Sequence, residues 1–235
     1  MLEFRGFSKI YGGSVRAVDK LDLLVGDGEI CGFIGHNGAG KTTAIRAAVG
    51  VLPFEEGDIL IDGVSIKQDP LRCKQDLAYI PDNPDIYDHL TGIQYVNFIA
   101  DIYGVGAKRV EIVEKYAELF EIRGRLNELI NAYSHGMKQK LCIIAALVHS
   151  PRLLILDEPF VGLDPKAAHT LKTIMRELCD GGAAIFFSTH VLEVAEKLCD
   201  RIAIIKGGKL VISGSMEQVR GNNSLEDVFL ELIEE

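Results

Sequence analysis

The sequence predicts an α/β fold, a strand-rich core carried by the two ends of the chain and interrupted by a helical insert. Three observations predict it. A short apolar stretch, Glu29 to Ile34, runs into a glycine-rich loop and then into an Ala-rich helical stretch, Thr42 to Gly50. A second apolar run, Leu153-Leu-Ile-Leu156, is followed at once by Asp157 and Glu158. Between about residues 85 and 150 the apolar spacing becomes helical.

Taken in order, residues 1 to about 80 read as strands and turns, with Gly57 to Gly63 a strand that ends in a turn. Ile93 to Tyr103, Lys108 to Phe120 and Gly136 to Ser150 place apolar residues near i, i+3 and i+4, as helices do. Leu153 to Leu156 and Ala183 to Phe187 are uninterrupted apolar runs, expected of central parallel strands buried on both faces. Pro165 to Cys179 reads as the crossover helix between them, started by Asp164 and Pro165 and stopped near Gly181 and Gly182. Arg201 to Ile205 and Leu210 to Ile212, joined by Lys206-Gly-Gly-Lys209, read as a hairpin. The tail sets Leu225, Val228, Phe229, Leu232 and Ile233 on one face of a helix, which predicts packing against the chain's own core.

Composition narrows the function. The 235 residues can bury a sizeable core, and hydrophobic residues make up 48% of them. The net charge of −9 comes without any Lys/Arg run, which disfavours nucleic acid as the main partner. The five cysteines, Cys31, Cys73, Cys142, Cys179 and Cys199, form no C-x-x-C pair and read as buried thiols in a reducing compartment. The N-terminus shows no signal-peptide pattern, and apolar runs such as Leu141 to Val148 fall short of the about 20 residues that span a bilayer. A cytoplasmic chain with no direct membrane insertion is expected, any membrane association coming through a partner.

Gly35-His-Asn-Gly-Ala-Gly-Lys-Thr-Thr43 is a complete phosphate-binding loop, and its strand and helix neighbours are the context that the motif requires. Backbone N–H groups of Gly35, His36, Asn37, Gly38, Ala39 and Gly40 can close around phosphate oxygens, helped by the partial positive charge of the helix N-terminus. Lys41 brings a full charge to the β- and γ-phosphates, and the Thr42 hydroxyl is placed to ligate Mg²⁺, with Thr43 beside it. Within the loop, His36 reads as a solvent-facing spacer. Asp157 and Glu158 emerge at the carboxyl end of an apolar strand, where ligands bind in open α/β sheets. Adjacent carboxylates repel unless a cation is near, so Asp157 is expected to serve Mg²⁺ and Glu158 to accept a proton from the attacking water.

These motifs, together with Tyr11, Tyr133-Ser-His-Gly-Met137, Gly162-Leu-Asp-Pro165 and Ser188-Thr-His190, resemble the nucleotide-binding subunit of an ABC transporter over essentially the whole length. The resemblance implies a P-loop NTPase (RecA-like) core with an antiparallel β subdomain and a helical insert. It implies a single ABC ATPase domain over 1–235, with the core at about 1–84 and 151–235 and a helical subdomain at about 85–150. It implies that Tyr11 stacks on adenine, that Lys41, Thr42 and Thr43 bind the triphosphate, and that His190 contacts the γ-phosphate. Ser134 and Gly136 would act in trans on ATP held by a second subunit, with Asp164 at the interface between them. The implied cofactors are ATP and Mg²⁺. The implied partners are a second ATPase subunit, in the simplest case another copy of this chain, and transmembrane permease subunits at the inner face of the membrane.

Two departures stand out. Asp82, in Tyr79-Ile-Pro-Asp82, replaces the Gln common in the family, and is expected to keep a metal-serving role. His135 replaces a glycine of the signature motif and reads as a tolerated exposed residue. Both departures, with Ile80-Pro-Asp-Asn-Pro84 and Leu225-Glu-Asp-Val-Phe-Leu230, resemble the bacterial export-type branch. Import remains an alternative direction. A soluble ABC-type ATPase acting on nucleic acid or ribosomes is the other alternative; no long heptad tract and only one such domain favour the transport subunit.

Overall fold

A computed structural model describes residues 1–234, and the side chains of residues 1–232. Two sheets organise the chain. The first, antiparallel, has strand order β2-β1-β4-β5, built from β1 (Leu2–Tyr11), β2 (Val15–Val25), β4 (Glu56–Ile61) and β5 (Val64–Ser65). The second has order β10-β9-β3-β8-β7-β6, from β3 (Ile30–Ile34), β6 (Leu77–Ile80), β7 (Leu153–Asp157), β8 (Ala184–Thr189), β9 (Arg201–Lys206) and β10 (Lys209–Ser215). All its pairings are parallel except the β9–β10 hairpin at the edge, whose turn is Gly207-Gly208.

The two-residue period of a strand splits the second sheet between two cores. Ile30 and Ile34 of β3, Leu154 and Leu156 of β7, and Ile185 and Phe187 of β8 face one core. Cys31 and Phe33, Leu153 and Ile155, and Ala184 and Phe186 face the other. Both faces are covered, so these strands carry no polar residue until their carboxyl ends. The antiparallel sheet and α1 (Lys41–Ala48) cover one face. The other is covered by α3 (Gly92–Ile102), α4 (Arg109–Leu119), α5 (His135–Leu147), α6 (Pro165–Asp180), α7 (Leu192–Leu198) and α9 (Leu225–Glu234). Two short helices, α2 (Pro70–Gln75) and α8 (Met216–Arg220), complete the chain.

Local chemistry sets the helix starts. Thr91 caps α3 through a capping box with Gln94. The Asp164 carboxylate accepts from the Ala167 N–H at 2.8 Å, with Pro165 at the first helical position of α6. Ser134 caps α5 by accepting from the Met137 N–H at 3.3 Å. α9 packs Leu225 and Phe229 into the core, with Val228 and Leu232 against it; the side chain of Ile233 lies outside the described ones. All five cysteines are buried and free. Among the described residues, no helix is long and apolar enough to cross a membrane.

Candidate active site

The strand β3 delivers its chain directly into the loop 35–40, and the loop delivers it into α1. Gly40, the residue before α1, sits at φ 108°, and a Cβ there would lie 2.5 Å from the Ala17 carbonyl, so only glycine fits. No side chain caps the N-terminus of α1, which leaves its first N–H groups directed into the loop for an anion. The Lys41 ammonium turns back into the loop, donating to the Gly35 carbonyl at 2.6 Å and the His36 carbonyl at 3.3 Å. An open cleft of about 230 Å³ results, lined by His36, Asn37, Gly38, Gly40, Lys41, Thr42, Thr43, Ala17, Asp82 and Glu158.

The carboxyl end of β7 brings the acids to this cleft. Asp157 is fully buried and pairs in register with Ser188 of the neighbouring parallel strand β8. The Ser188 hydroxyl donates to Asp157 Oδ1 at 2.5 Å and accepts from the Glu158 N–H at 3.0 Å. Glu158 stands in the left-handed region at φ 46°, a strained conformation that costs about 1–3 kcal/mol and turns its side chain out of the strand. Its Oε1 lies 3.6 Å from the Lys41 ammonium and its Oε2 3.0 Å from His190 Nδ1. His190 follows the last residue of β8, so the parallel pairing of β7 with β8 is what sets carboxylate and imidazole side by side.

The donor set suits Mg²⁺. Burial raises the Asp157 carboxyl above its ordinary range; the Ser188 hydrogen bond and the nearby Thr42 hydroxyl hold it down, and the charges of Asp82 and Glu158 push it up again. Its Oδ2 is buried without a hydrogen-bond partner, an orphan that a cation would satisfy. Among the described residues no group of three or more His, Cys, Asp or Glu side chains could hold a metal by itself. The orphaned Asp157 oxygen fits a magnesium ion bound by one or two carboxylates and shared with phosphates. Asp82 is exposed and lines the same cleft, on the loop after β6.

The other expected residues lie elsewhere. Tyr11 is exposed at the end of β1, with the Lys9 ammonium 5.6 Å from its ring centre. Ser134, Gly136 and Asp164 belong to two segments that meet at Gly136 and Gly162. A Cβ on Gly136 would lie 2.8 Å from the Gly162 carbonyl, and the His135 ring covers Gly162. Lys140 of α5 reaches Asp164 at 2.7 Å, which draws that carboxyl below its ordinary range. His135 is thus exposed but packed on Gly162, not a free surface residue. His36 is exposed as expected, yet it is more than a solvent-facing spacer: its ring stands edge-on to Phe229 of α9, with centroids 5.2 Å apart.

Ser188 is the residue that the sequence reading left without a role. It was visible in Ser188-Thr-His190, but its bridge between Asp157 and Glu158 follows from the strand register and not from the motif.

Residues 18–161 match the family described as "ABC transporter". The chain is 36% identical to the ABC-type transporter ATP-binding protein EcsA of Bacillus subtilis, over 95% of this chain and 94% of that one. It is 34% identical to the linearmycin resistance ATP-binding protein LnrL of the same organism, over 92% of this chain and 69% of that one. A solved ATP-binding subunit of an ABC transporter superposes with a TM-score of 0.94 at 34% identity, covering 99% of both chains. The arrangement of sheets and helices is that of a P-loop NTPase.

Proposed function

The chain belongs to the ABC transporter family as an ATP-binding subunit with ATPase activity, and on that premise we propose that two copies close around two ATP molecules to drive export through separate membrane subunits. The observation that carries the reading is Glu158, held between Lys41 and His190 at the wall of the phosphate-loop cleft. Lys41 and the N–H groups of the loop bind the β- and γ-phosphates. Glu158 takes a proton from the attacking water, and His190, paired through Nδ1, steadies that carboxylate and the charge that develops on the γ-phosphate. Thr42, Asp157 and Asp82 would hold Mg²⁺, which would supply positive charge to neutralise the phosphate oxygens. Tyr11 stacks on adenine.

Dimerisation is supported by what one chain lacks. Gly136 lies against Gly162, Ser134 and Asp164 stand two residues along from each, and none of the three lines the chain's own cleft, so this surface is available to complete the cleft of a second copy. A membrane partner is supported by a groove of about 220 Å³ whose walls include Tyr79, Ile86, Tyr95, Ile99, Tyr103 and His149. Tyr87 and Phe98 are exposed, and Tyr87 stands edge-on to Phe98 and to Tyr95 of that groove. This surface suits a short amphipathic helix of a permease at the inner membrane face. Export is supported by the likeness to the export-type branch and by a relative named for resistance.

Tagged Glu158→Gln protein incubated with Mg-ATP tests the reading. It should dimerise in light scattering and recover a multi-helix membrane protein from detergent-solubilised membranes. A monomer that recovers only soluble proteins or ribosomes overturns it.

A further inference from the structure

We propose that the C-terminal helix α9 is a support for the phosphate loop, with Phe229 as the positioning residue that acts through His36. The proposal rests on the reading that the cleft takes nucleotide.

Three contacts between the last quarter of the chain and the phosphate loop carry the proposal. Gly35 lies so close to β9 that a Cβ would sit 2.5 Å from the Ile205 carbonyl. The turn of the β9–β10 hairpin donates from the Gly208 N–H to the Ala39 carbonyl at 3.0 Å. Phe229 meets the His36 ring edge-on, at 61° between planes. The first two contacts are made by backbone and fix the floor of the loop. The third is made by side chains, and His36 lines the cleft.

α9 is held where it can do this. Ser224 and Asp227 cap its first turn: the Ser224 hydroxyl donates to the Asp227 carboxylate at 2.6 Å and accepts from the Asp227 N–H at 3.1 Å. Leu225 and Phe229, one turn apart, are buried in the core. Near the other end, the Lys206 ammonium donates to the Leu232 carbonyl at 3.3 Å, tying the helix to the strand that floors the loop. The helix is therefore anchored independently of His36, and the aromatic contact joins α9 to a residue lining the cleft. An edge-to-face pair holds its partner in one orientation, and such pairs contribute beyond their buried area. With Phe229 in place the His36 ring, and the loop backbone that carries it, are confined to one arrangement before phosphate arrives. Binding then loses less conformational freedom. By reciprocity, bound nucleotide must hold α9 more tightly.

Mg-ADP is the probe. Phe229→Leu keeps apolar bulk but loses the ring, and should weaken Mg-ADP binding by about two- to tenfold, the range of an aromatic pair. The KM for Mg-ATP should rise by the same factor at little change in kcat. Phe229→Tyr should restore both. His36→Ala should weaken binding similarly, and Phe229→Leu added to it should change nothing further. Leu230→Ala, on the exposed side of α9, is the control. In the unaltered chain, Mg-ADP should slow amide exchange across 225–232. Unchanged affinity in Phe229→Leu, additive effects in the double variant, or exchange at α9 indifferent to Mg-ADP would overturn the proposal. Failure of the unaltered chain to bind Mg-ADP would instead sink the nucleotide reading itself.

Discussion

Glu158 and His190 meet at 3.0 Å, Oε2 to Nδ1, across the ends of two parallel strands. The pair depends on a backbone at φ 46° that β7 would not adopt without support, and Ser188 supplies that support through the Glu158 N–H. The Glu158 carboxylate is therefore positioned by its neighbour strand as much as by its own.

If Glu158 is the general base, Glu158→Gln should lower kcat by about 10²–10⁴ while Mg-ATP still binds. His190→Ala should cost about 10²–10³, the range for losing one transition-state donor. Steady-state hydrolysis alongside equilibrium nucleotide binding separates the two effects; a binding loss as large as the rate loss would speak against both roles.

Asp157 should be a residue that function keeps at the expense of stability. Burial raises its pKa, so the folded state takes up protons that the unfolded state has released. Any pH-dependent penalty is absent below the ordinary carboxyl value of about 3.8 and fully present once pH has risen through the folded value. At neutral pH Asp157→Asn should remove it, raising Tm while abolishing hydrolysis, the trade-off common at strained sites. Calorimetry of both chains without nucleotide or magnesium is the check.

Ser188→Ala should do the opposite to stability. It leaves Asp157 Oδ1 and the Glu158 N–H without their shared partner, a loss of about 1–3 kcal/mol. Hydrolysis should fall with it, because Glu158 loses its orientation. Chemical denaturation with and without the substitution measures the first part; an unchanged midpoint refutes it.

Gly136→Ala should spare nucleotide binding to the single chain and impair what two chains do together. The added Cβ would meet the Gly162 carbonyl at 2.8 Å, forcing the first turn of α5 away from Gly162. Misplacement by about 1 Å can cost about 10²-fold in rate. ATP-driven dimer formation and hydrolysis should both drop, with the Mg-ADP affinity of the monomer unchanged.

Asp82 bears on the metal. Asp82→Ala should raise the Mg²⁺ concentration needed for half-maximal hydrolysis, and Asp82→Gln, which restores an oxygen ligand without the charge, should recover part of the loss. Identical magnesium dependence in all three chains removes Asp82 from the metal site.

What was legible in the sequence was local. The phosphate loop announces itself because its glycines, Lys41 and flanking elements are contiguous, and Asp157-Glu158 because an apolar run delivers two acids at once. The helices at 92–102, 109–119 and 135–147 follow from apolar spacing, and each lies within a few residues of its expected bounds. What was not legible needs two distant segments at once. Ser188 acquires its role only when β8 pairs with β7 in one register. The cover of His135 over Gly162 and the edge contact of His36 with Phe229 join residues that no short motif links. The turns and bulges of β1 against β2 and β4 are set by register shifts that the apolar pattern of residues 1–80 does not specify.

The strand order has a consequence for how the chain is made. β3, which bears the phosphate loop, pairs with β8 and β9: Cys31 lies beside Phe186 and Arg201, 155 (186 − 31) and 170 (201 − 31) residues downstream. At synthesis rates of about 5–20 residues per second, an apolar strand without sheet neighbours waits about 8–30 s for the first of them. Through that interval Ile30 to Ile34 is an exposed edge of the kind that recruits other chains. The nucleotide loop can be completed only when the last quarter of the polypeptide has left the ribosome, so truncated products should be caught by chaperones or aggregate rather than bind ATP.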